Sequence, residues 1–382
     1  MIQYDFKKIR KEYSKLGVPQ GLFDPCDTPL DAAKYFVICT ERSSGKTTNT
    51  LLLGLICYKL YGSPVQYIRQ REDMLAPKNA KALCDVIISA GYVPKLTDGK
   101  YNTMVYKARR WYYAKEENGE ITETAPEHCI QCLCLQNNDI YKSSYNAPNG
   151  DFILFDEFCA KRHLPDEFFL FCDLLSTIIR SRQNPIIWML GNTLDRYDYY
   201  FDELEIADFM KYIQIGEHME VKTAKGTPIY IEVFAPDKRE KKNLINKLFF
   251  GFRNSRLNAI TGEDWLIVPY QHIDTEDKDE REIIDRRHFI QYEEEYLCLE
   301  VVNSEKHGLH VIVHRATNID FEDATIYTCD TMHDIRYRYR FGFGKVDRMI
   351  WTLYDRNKFF YATNACAALV SKFINKAQTI RQ

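Results

Sequence analysis

"ICTERSSGKTTNT", Ile38 to Thr50, decides the reading of this chain. Gly45, Lys46 and Thr47 close a pattern of the form G-x-x-x-x-G-K-[ST], whose first position here is Thr40 rather than glycine. The missing glycine would only ease the exit of the chain from a strand. Phosphates in such a loop are held by the later backbone N–H groups, the helix N-terminus and the lysine. The candidate cradle is therefore Ser43, Ser44, Gly45, Lys46, Thr47 and Thr48.

The flanks have the order such a loop requires. "YFVIC", Tyr35 to Cys39, is a short apolar run suited to a central parallel strand. The stretch that follows, to Tyr61, is apolar around most of a helical circumference, as a helix buried against a sheet would be. Lys46 would reach the β- and γ-phosphates of ATP, and Thr47 would ligate Mg²⁺.

A nucleotide hydrolase of this kind needs an acidic residue at the end of a neighbouring buried strand. "DFILFDEF" supplies one: Phe152 to Phe155 form the strand, and Asp156 and Glu157 stand at its carboxyl end. Asp156 would organise the metal with Thr47, and Glu157 would polarise the attacking water. A further apolar run, "PIIWMLGNT" (Pro185 to Thr193), ends at Asn192, a candidate γ-phosphate sensor or a plain Gly-Asn turn. Between them, Leu174, Leu175, Ile178 and Ile179 repeat at helical spacing, with Arg180 and Arg182 at the helix end. Those arginines either complement the helix dipole or act as fingers on a neighbour's ATP. Lys142, in the turn-rich "DIYKSSYNAPNG", is a solvated lysine or a second such donor.

"PVQYIRQRED", Pro64 to Asp73, reads as another strand, with Tyr67, Arg69 and Arg71 on one face and Gln66, Ile68 and Gln70 on the other. Its arginines either bind DNA or pair with acidic neighbours. "YNTMVYKARRWYYAKEENGEITET" reads as edge strands about an Asn118-Gly119 turn.

Composition narrows the class. With 45% hydrophobic residues, 382 residues suffice for about two domains at roughly 150 residues each. A formal net charge of −3 makes any nucleic-acid contact local rather than general. The N-terminus lacks the apolar core of a secretory signal, and no apolar run approaches the ~18 residues of a membrane span. The 12 cysteines lie mostly within apolar runs and read as reduced core thiols of a cytosolic protein. "HCIQCLC" (His128, Cys129, Cys132, Cys134) falls short of a zinc site, because its alternation splits the cysteines between two strand faces.

Taken in order, FVICTERSSGKT, YIRQRED, IYKSSYNAPNGDFILFDEF and TIIRSRQNPIIWMLGNT resemble the DNA-encapsidation ATPases of small podophages of the Picovirinae type. These belong to the additional-strand, catalytic-glutamate class of P-loop proteins, near the large terminases and the FtsK/HerA translocases. The resemblance covers about the first 235 residues by motif and the remainder by layout. It implies an α/β P-loop ATPase domain with a mostly parallel sheet over 1–236, a small linker over 237–266, and an RNase H-like vestigial nuclease domain over 267–382. It places Arg42 as the P-loop arginine, Asp156 as the metal-organising acid and Glu157 as the catalytic glutamate. Lys142 and Arg180 fall on residues offered in trans, and Arg182 on a second arginine. The implied activity is ATP-driven translocation of double-stranded DNA into a preformed procapsid. The implied partners are the portal and further copies of the chain in a homo-oligomeric ring, pentameric by analogy, with a packaging RNA left open. The implied location is the host cytoplasm, transiently at the procapsid, with no membrane. A helicase-like or switch ATPase acting on nucleic acid, and an assembly factor with an inactive loop, are the alternatives.

Beyond residue 236 the signals are weaker. The run Lys238, Arg239, Lys241, Lys242 opens a helix-forming stretch to Phe250. "HFIQY", "EYLCLEVV", "GLHVIVHRA" and "ATIYTCD" read as strands, "TEDKDEREIIDRRH" as a charged helix, and "NACAALVSKFINKA" as an amphipathic helix. Glu300 and Asp330 are strand-borne acids without the third carboxylate that two-metal cleavage needs. "RYRYRFGFGK" alternates Arg336, Arg338 and Arg340 with aromatics, as an edge strand or a phosphate-binding stripe.

Overall fold

A computed structural model describes residues 3–40, 44–144, 150–160, 163–164, 166–180, 182–192, 196, 198–235, 270–272, 281–292, 295–316, 323–329, 336–339 and 345–379. The chain divides into two compact units, Met1–Arg162 with Glu167–Ile267, and His163–Asp166 with Val268–Gln382. The linker expected over 237–266, with its basic stretch, lies outside the described residues.

The first unit begins with α1 (Phe6–Ser14), β1 (Tyr35–Thr40), α2 (Lys46–Tyr61), β2 (Val65–Arg69), α3 (Pro77–Ser89) and α4 (Tyr92–Leu96). It continues through β3 (Thr103–Lys107), β4 (Arg110–Glu117), β5 (Glu120–Thr124), β6 (Ile130–Cys134), α5 (Asn138–Ser144) and β7 (Phe152–Asp156). α6 (Glu167–Ile179), β8 (Ile186–Asn192), α7 (Tyr199–Glu203), α8 (Ala207–Tyr212), β9 (His218–Lys222) and β10 (Pro228–Phe234) follow. The sheet order is β3-β4-β6-β2-β7-β8-β1-β10-β9, with β5 paired to β4. The six strands from β6 to β10 are mutually parallel.

β8 is inserted between β1, which carries the P-loop, and β7, which carries the acidic pair. That is the defining strand of the additional-strand class. Parallel strands covered on both faces are apolar throughout, and every residue of β7 is buried. The Trp188 ring stacks on Phe36 at 4.5 Å and lies 6.5 Å from Phe152, tying β8 to both neighbours. α2 is buried around its girth, and a Cβ at Gly54 would lie 2.5 Å from Val65 Cγ2, so glycine lets this helix lie close on the sheet.

The expected edge insertion is β3, β4 and β5, antiparallel, with Asn118 (φ 54) and Gly119 (φ 84) forming the β4–β5 turn. The β3–β4 turn uses Ala108 and Arg109, both with positive φ, which no turn residue in the sequence announces.

In the second unit β11 (Glu282–Tyr292), β12 (Glu295–Ser304) and β13 (Gly308–Arg315) form an antiparallel meander. β14 (Thr325–Thr328) pairs parallel with β11, and β15 (Tyr337–Tyr339) parallel with β14. The strands thus stand third, second, first, fourth, fifth, which is the RNase H-like order. β16 (Phe359–Tyr361) is added beside β13. Helices Lys345–Asp355 and Asn364–Thr379 contribute Ile350, Leu353, Val370 and Phe373 to one core with Leu299, Val301 and Val313.

One expected helix is corrected. Of "TEDKDEREIIDRRH", the residues from Glu282 onward are strand β11, with register shifts around Asp285. Pairing with β12 overrides the helical propensity of a charged stretch, and the irregularities absorb its poor alternation. Glu300 lies half-buried on β12, and Asp330 lies outside the described residues. Among the described residues no group of three or more His, Cys, Asp or Glu could hold a metal ion. Of the arginine stripe, Arg336 and Arg338 are described in backbone, just before and within edge strand β15, and Arg340 is not described.

Candidate active site

Strand register brings the motif residues to one edge. Thr40 at the end of β1 pairs with Asn192 at the end of β8, and Asp156 at the end of β7 pairs with Leu190. The chain turns from β1 into α2 through Gly45, whose φ of 82° is left-handed and whose added Cβ would lie 3.1 Å from Leu22 Cβ. Only glycine fits both demands. Arg42 and Ser43 lie outside the described residues.

Lys46, buried in the first turn of α2, donates from Nζ to Asn192 Oδ1 at 2.7 Å. Burial pulls its ammonium below the ordinary value, opposed chiefly by the Asp156 carboxylate. Thr47 Oγ1 donates to Asp156 Oδ1 at 2.9 Å. The other carboxylate oxygen, Oδ2, accepts from Tyr67 OH at 2.9 Å and from Arg69 Nη1 at 3.1 Å. Arg69 Nη2 donates to Glu157 Oε2 at 2.6 Å. One guanidinium therefore holds both acids. Burial works against the Arg69 charge, but Tyr67, Asp156 and Glu157 outweigh it and raise its pKa. Glu157 sits at φ 57°, so the chain leaves β7 in a left-handed kink that turns the glutamate aside from the strand direction.

Arg69 and Tyr67 were not singled out as site residues by sequence. The strand alternation that put them on one face was the available signal. β2 ends at Arg69 rather than running to Asp73, and a short 3₁₀ turn over Glu72–Leu75 follows, so Arg71 is not part of the strand.

The arrangement fits Mg²⁺ and a nucleotide phosphate. Thr47 Oγ1 and Asp156 are adjacent hard oxygen donors. Ser44 Oγ is buried in the loop without a hydrogen-bond partner, as a group awaiting a ligand would be. A cavity of about 360 Å³ opens beside this pair, walled by Thr48, Tyr67, Arg69, Met74 and Leu83.

The remaining candidates lie elsewhere. α6 runs back from the nucleotide edge, so Arg180 and Arg182 stand at the amino-terminal edge of the sheet. Arg182 is fixed there by Asp151, immediately before β7, with Nε 3.0 Å from Oδ1, and donates to Gly150 O at 3.2 Å. Arg180 is exposed, at φ 50°, its Nε reaching Thr177 O at 3.4 Å. Lys142 lies in α5. Cys129, Cys132 and Cys134 are all buried, and burial raises the Cys132 thiol to about 12. Among the described residues no helix is long and apolar enough to cross a membrane.

Fold and site together define an additional-strand P-loop protein joined to an RNase H-like unit. Two solved structures share that fold over nearly the whole chain. One is the Phi-28 gp11 DNA packaging motor, at 15% identity, covering 94% of this chain and 99% of that one with a TM-score of 0.57. The other is the bacteriophage Phi-29 viral genome packaging motor assembly, at 19% identity, 93% and 99% coverage, and a TM-score of 0.51. At these identities the likeness is one of fold. No protein-family model matches the sequence, and no curated protein matches it.

Proposed function

We propose that this chain is an ATP-driven translocase that packages double-stranded viral DNA into a preformed procapsid, hydrolysing ATP between the subunits of a homomeric ring. The observation that carries the reading is the single cluster Lys46–Asn192, Thr47–Asp156 and Arg69–Glu157 at the carboxyl edge of a parallel sheet. Lys46 binds the β- and γ-phosphates, and Ser44, Gly45 and Thr48 line their cradle. Thr47 and Asp156 hold Mg²⁺, which would neutralise charge on the phosphate oxygens. Glu157, once released by Arg69, accepts the proton of the attacking water. Asn192 orients the γ-phosphate. Arg42 and Ser43 complete the loop.

The position of Arg180 supports the ring. β8 is seven residues long, so the two edges of the sheet are about 20 Å apart at ~3.3 Å per residue. Arg180 cannot reach its own chain's ATP across that distance, and serves a neighbour's site together with Lys142. Arg182 is the weaker finger candidate because Asp151 of its own chain already engages it. The fold likeness to two packaging motors favours packaging over a helicase-like role. It also supports the assignment of the portal as docking partner and the host cytoplasm as the place of action. The RNase H-like unit is read as a nuclease that has lost its acids. The test is ATP-dependent filling of procapsids with DNA protected from nuclease. DNA-stimulated hydrolysis without filling would favour the helicase-like reading, and no hydrolysis would remove both.

A further inference from the structure

Behind the catalytic row lies a second polar cluster. Glu167, the first residue of α6, is fully buried. Its Oε1 accepts from Gln70 Nε2 at 2.8 Å and from Tyr200 OH at 3.0 Å. Gln70 and Tyr200 are buried as well. Burial raises the Tyr200 phenol, with Glu167 adding to the shift. Polar groups so deep must be paired, and removing one donor leaves a desolvated acceptor. The cluster therefore fixes three segments relative to one another.

Two of those segments carry residues of the nucleotide edge, and the third leads to Arg180. Gln70 directly follows Arg69, which holds Glu157. Tyr200 lies in α7, after the β8 tip that carries Asn192, and its backbone is held by Asp198 at 3.0 Å. Glu167 begins α6, whose last residue, Ile179, directly precedes Arg180. The helix is 13 residues long, about 20 Å at 1.5 Å per residue. It is packed along its length: Phe171 meets Phe155 at 4.9 Å, and Leu174, Leu175 and Ile178 are buried. A helix packed in this way transmits strain along its length.

We propose that Gln70, Glu167 and Tyr200 form a positioning clamp through which a subunit's own nucleotide edge sets the pose of the Arg180 it presents to the next subunit. A movement of Arg69, which holds Asp156 as well as Glu157, displaces the end of β2. Gln70 carries that displacement to Glu167, and α6 delivers it at the far edge of the sheet. The proposal rests on the reading of Arg180 as a finger in trans. It adds the route by which one site conditions the next.

The test uses full-length chains in mixed rings. Donor chains carry Glu157→Gln, with the finger intact; acceptor chains carry Arg180→Ala, with the site intact. Recovery of ATPase activity on mixing supports action in trans. No recovery, with co-assembly verified, removes that reading and this proposal with it. Gln70→Leu is then placed in the donor alone, where no hydrolysis occurs. The clamp predicts that recovered activity falls about 5- to 50-fold, within the usual range for coupling between sites. A purely local role for Gln70 predicts no change in that arm, and a donor arm as active as the reference mixture overturns the clamp while the trans reading stands. Tyr200→Phe in the donor, which keeps the ring and removes one hydrogen bond, provides the same comparison if Gln70→Leu donors do not assemble.

Discussion

Replacing Arg69 by alanine removes the shared partner of both acids, and the structure sets the size of the effect. The Arg69 side chain is 15% exposed and that of Asp156 only 5%. Without the guanidinium, Asp156 keeps Thr47 and Tyr67 as neutral donors but loses its positive partner at 3.1 Å. Removing one member of a buried ion pair costs about 3–5 kcal/mol. The bond to Glu157 adds little despite its 2.6 Å length, because that glutamate is 49% exposed and such pairs contribute about 0–1 kcal/mol. At roughly 2–4 °C per kcal/mol for a domain of this size, the melting midpoint should fall by about 6–20 °C. Thermal unfolding followed by circular dichroism reads it directly. Saturating Mg²⁺ and ATP should raise the midpoint of the variant more than that of the parent, since a cation at Thr47 and Asp156 restores the missing charge. A midpoint within about 2 °C of the parent without nucleotide, on the same conversion, would refute the reasoning, since Asp156 would then not depend on Arg69.

Other substitutions separate the remaining roles. Glu157→Gln should bind ATP normally and melt like the parent, yet lose about 10²–10⁴ in turnover, because an amide is no base; Lys46→Ala should weaken both binding and turnover, as nucleotide titration and steady-state hydrolysis will show. Gly45→Ala forces a side chain into left-handed backbone against Leu22, costing about 1–2 kcal/mol from the backbone alone, visible in both midpoint and ATP affinity. Arg182→Ala should destabilise by about 3–5 kcal/mol through its pair with Asp151, whereas exposed Arg180→Ala should stay within about 0.5 kcal/mol in denaturant titrations. Cys129 and Cys132, buried and with raised pKa values, should resist alkylation at neutral pH until the chain is unfolded, as peptide mass mapping will reveal.

The sequence was most legible where apolar runs meet special residues. β1, β7 and β8 are continuous apolar segments because both faces of a parallel sheet are covered, and their tips carry the chemistry. Arg69 was harder to place. Its partner Asp156 is 87 residues away, and nothing local distinguishes an arginine facing a carboxylate from one facing DNA. The clamp of Gln70, Glu167 and Tyr200 was invisible for the same reason, with partners 97 and 33 residues apart. The start of β11 misled in the opposite direction: a charged stretch without alternation takes its conformation from the strand beside it. The Ala108-Arg109 turn carries no glycine or asparagine, so only the pairing of β3 with β4 dictates it.

The Asp151–Arg182 pair marks one edge of the sheet and the Thr47–Asp156 pair the other. On the proposed reading, in which Arg180 serves a neighbour's site, the two halves of one site stand on opposite edges. A head-to-tail contact joins them, and such a contact propagates until the rotation per subunit closes a circle or winds into a filament. Which of these forms is therefore settled by an angle between neighbours and not by the chemistry of the site. On that reading, a docking surface with its own rotational symmetry selects the ring.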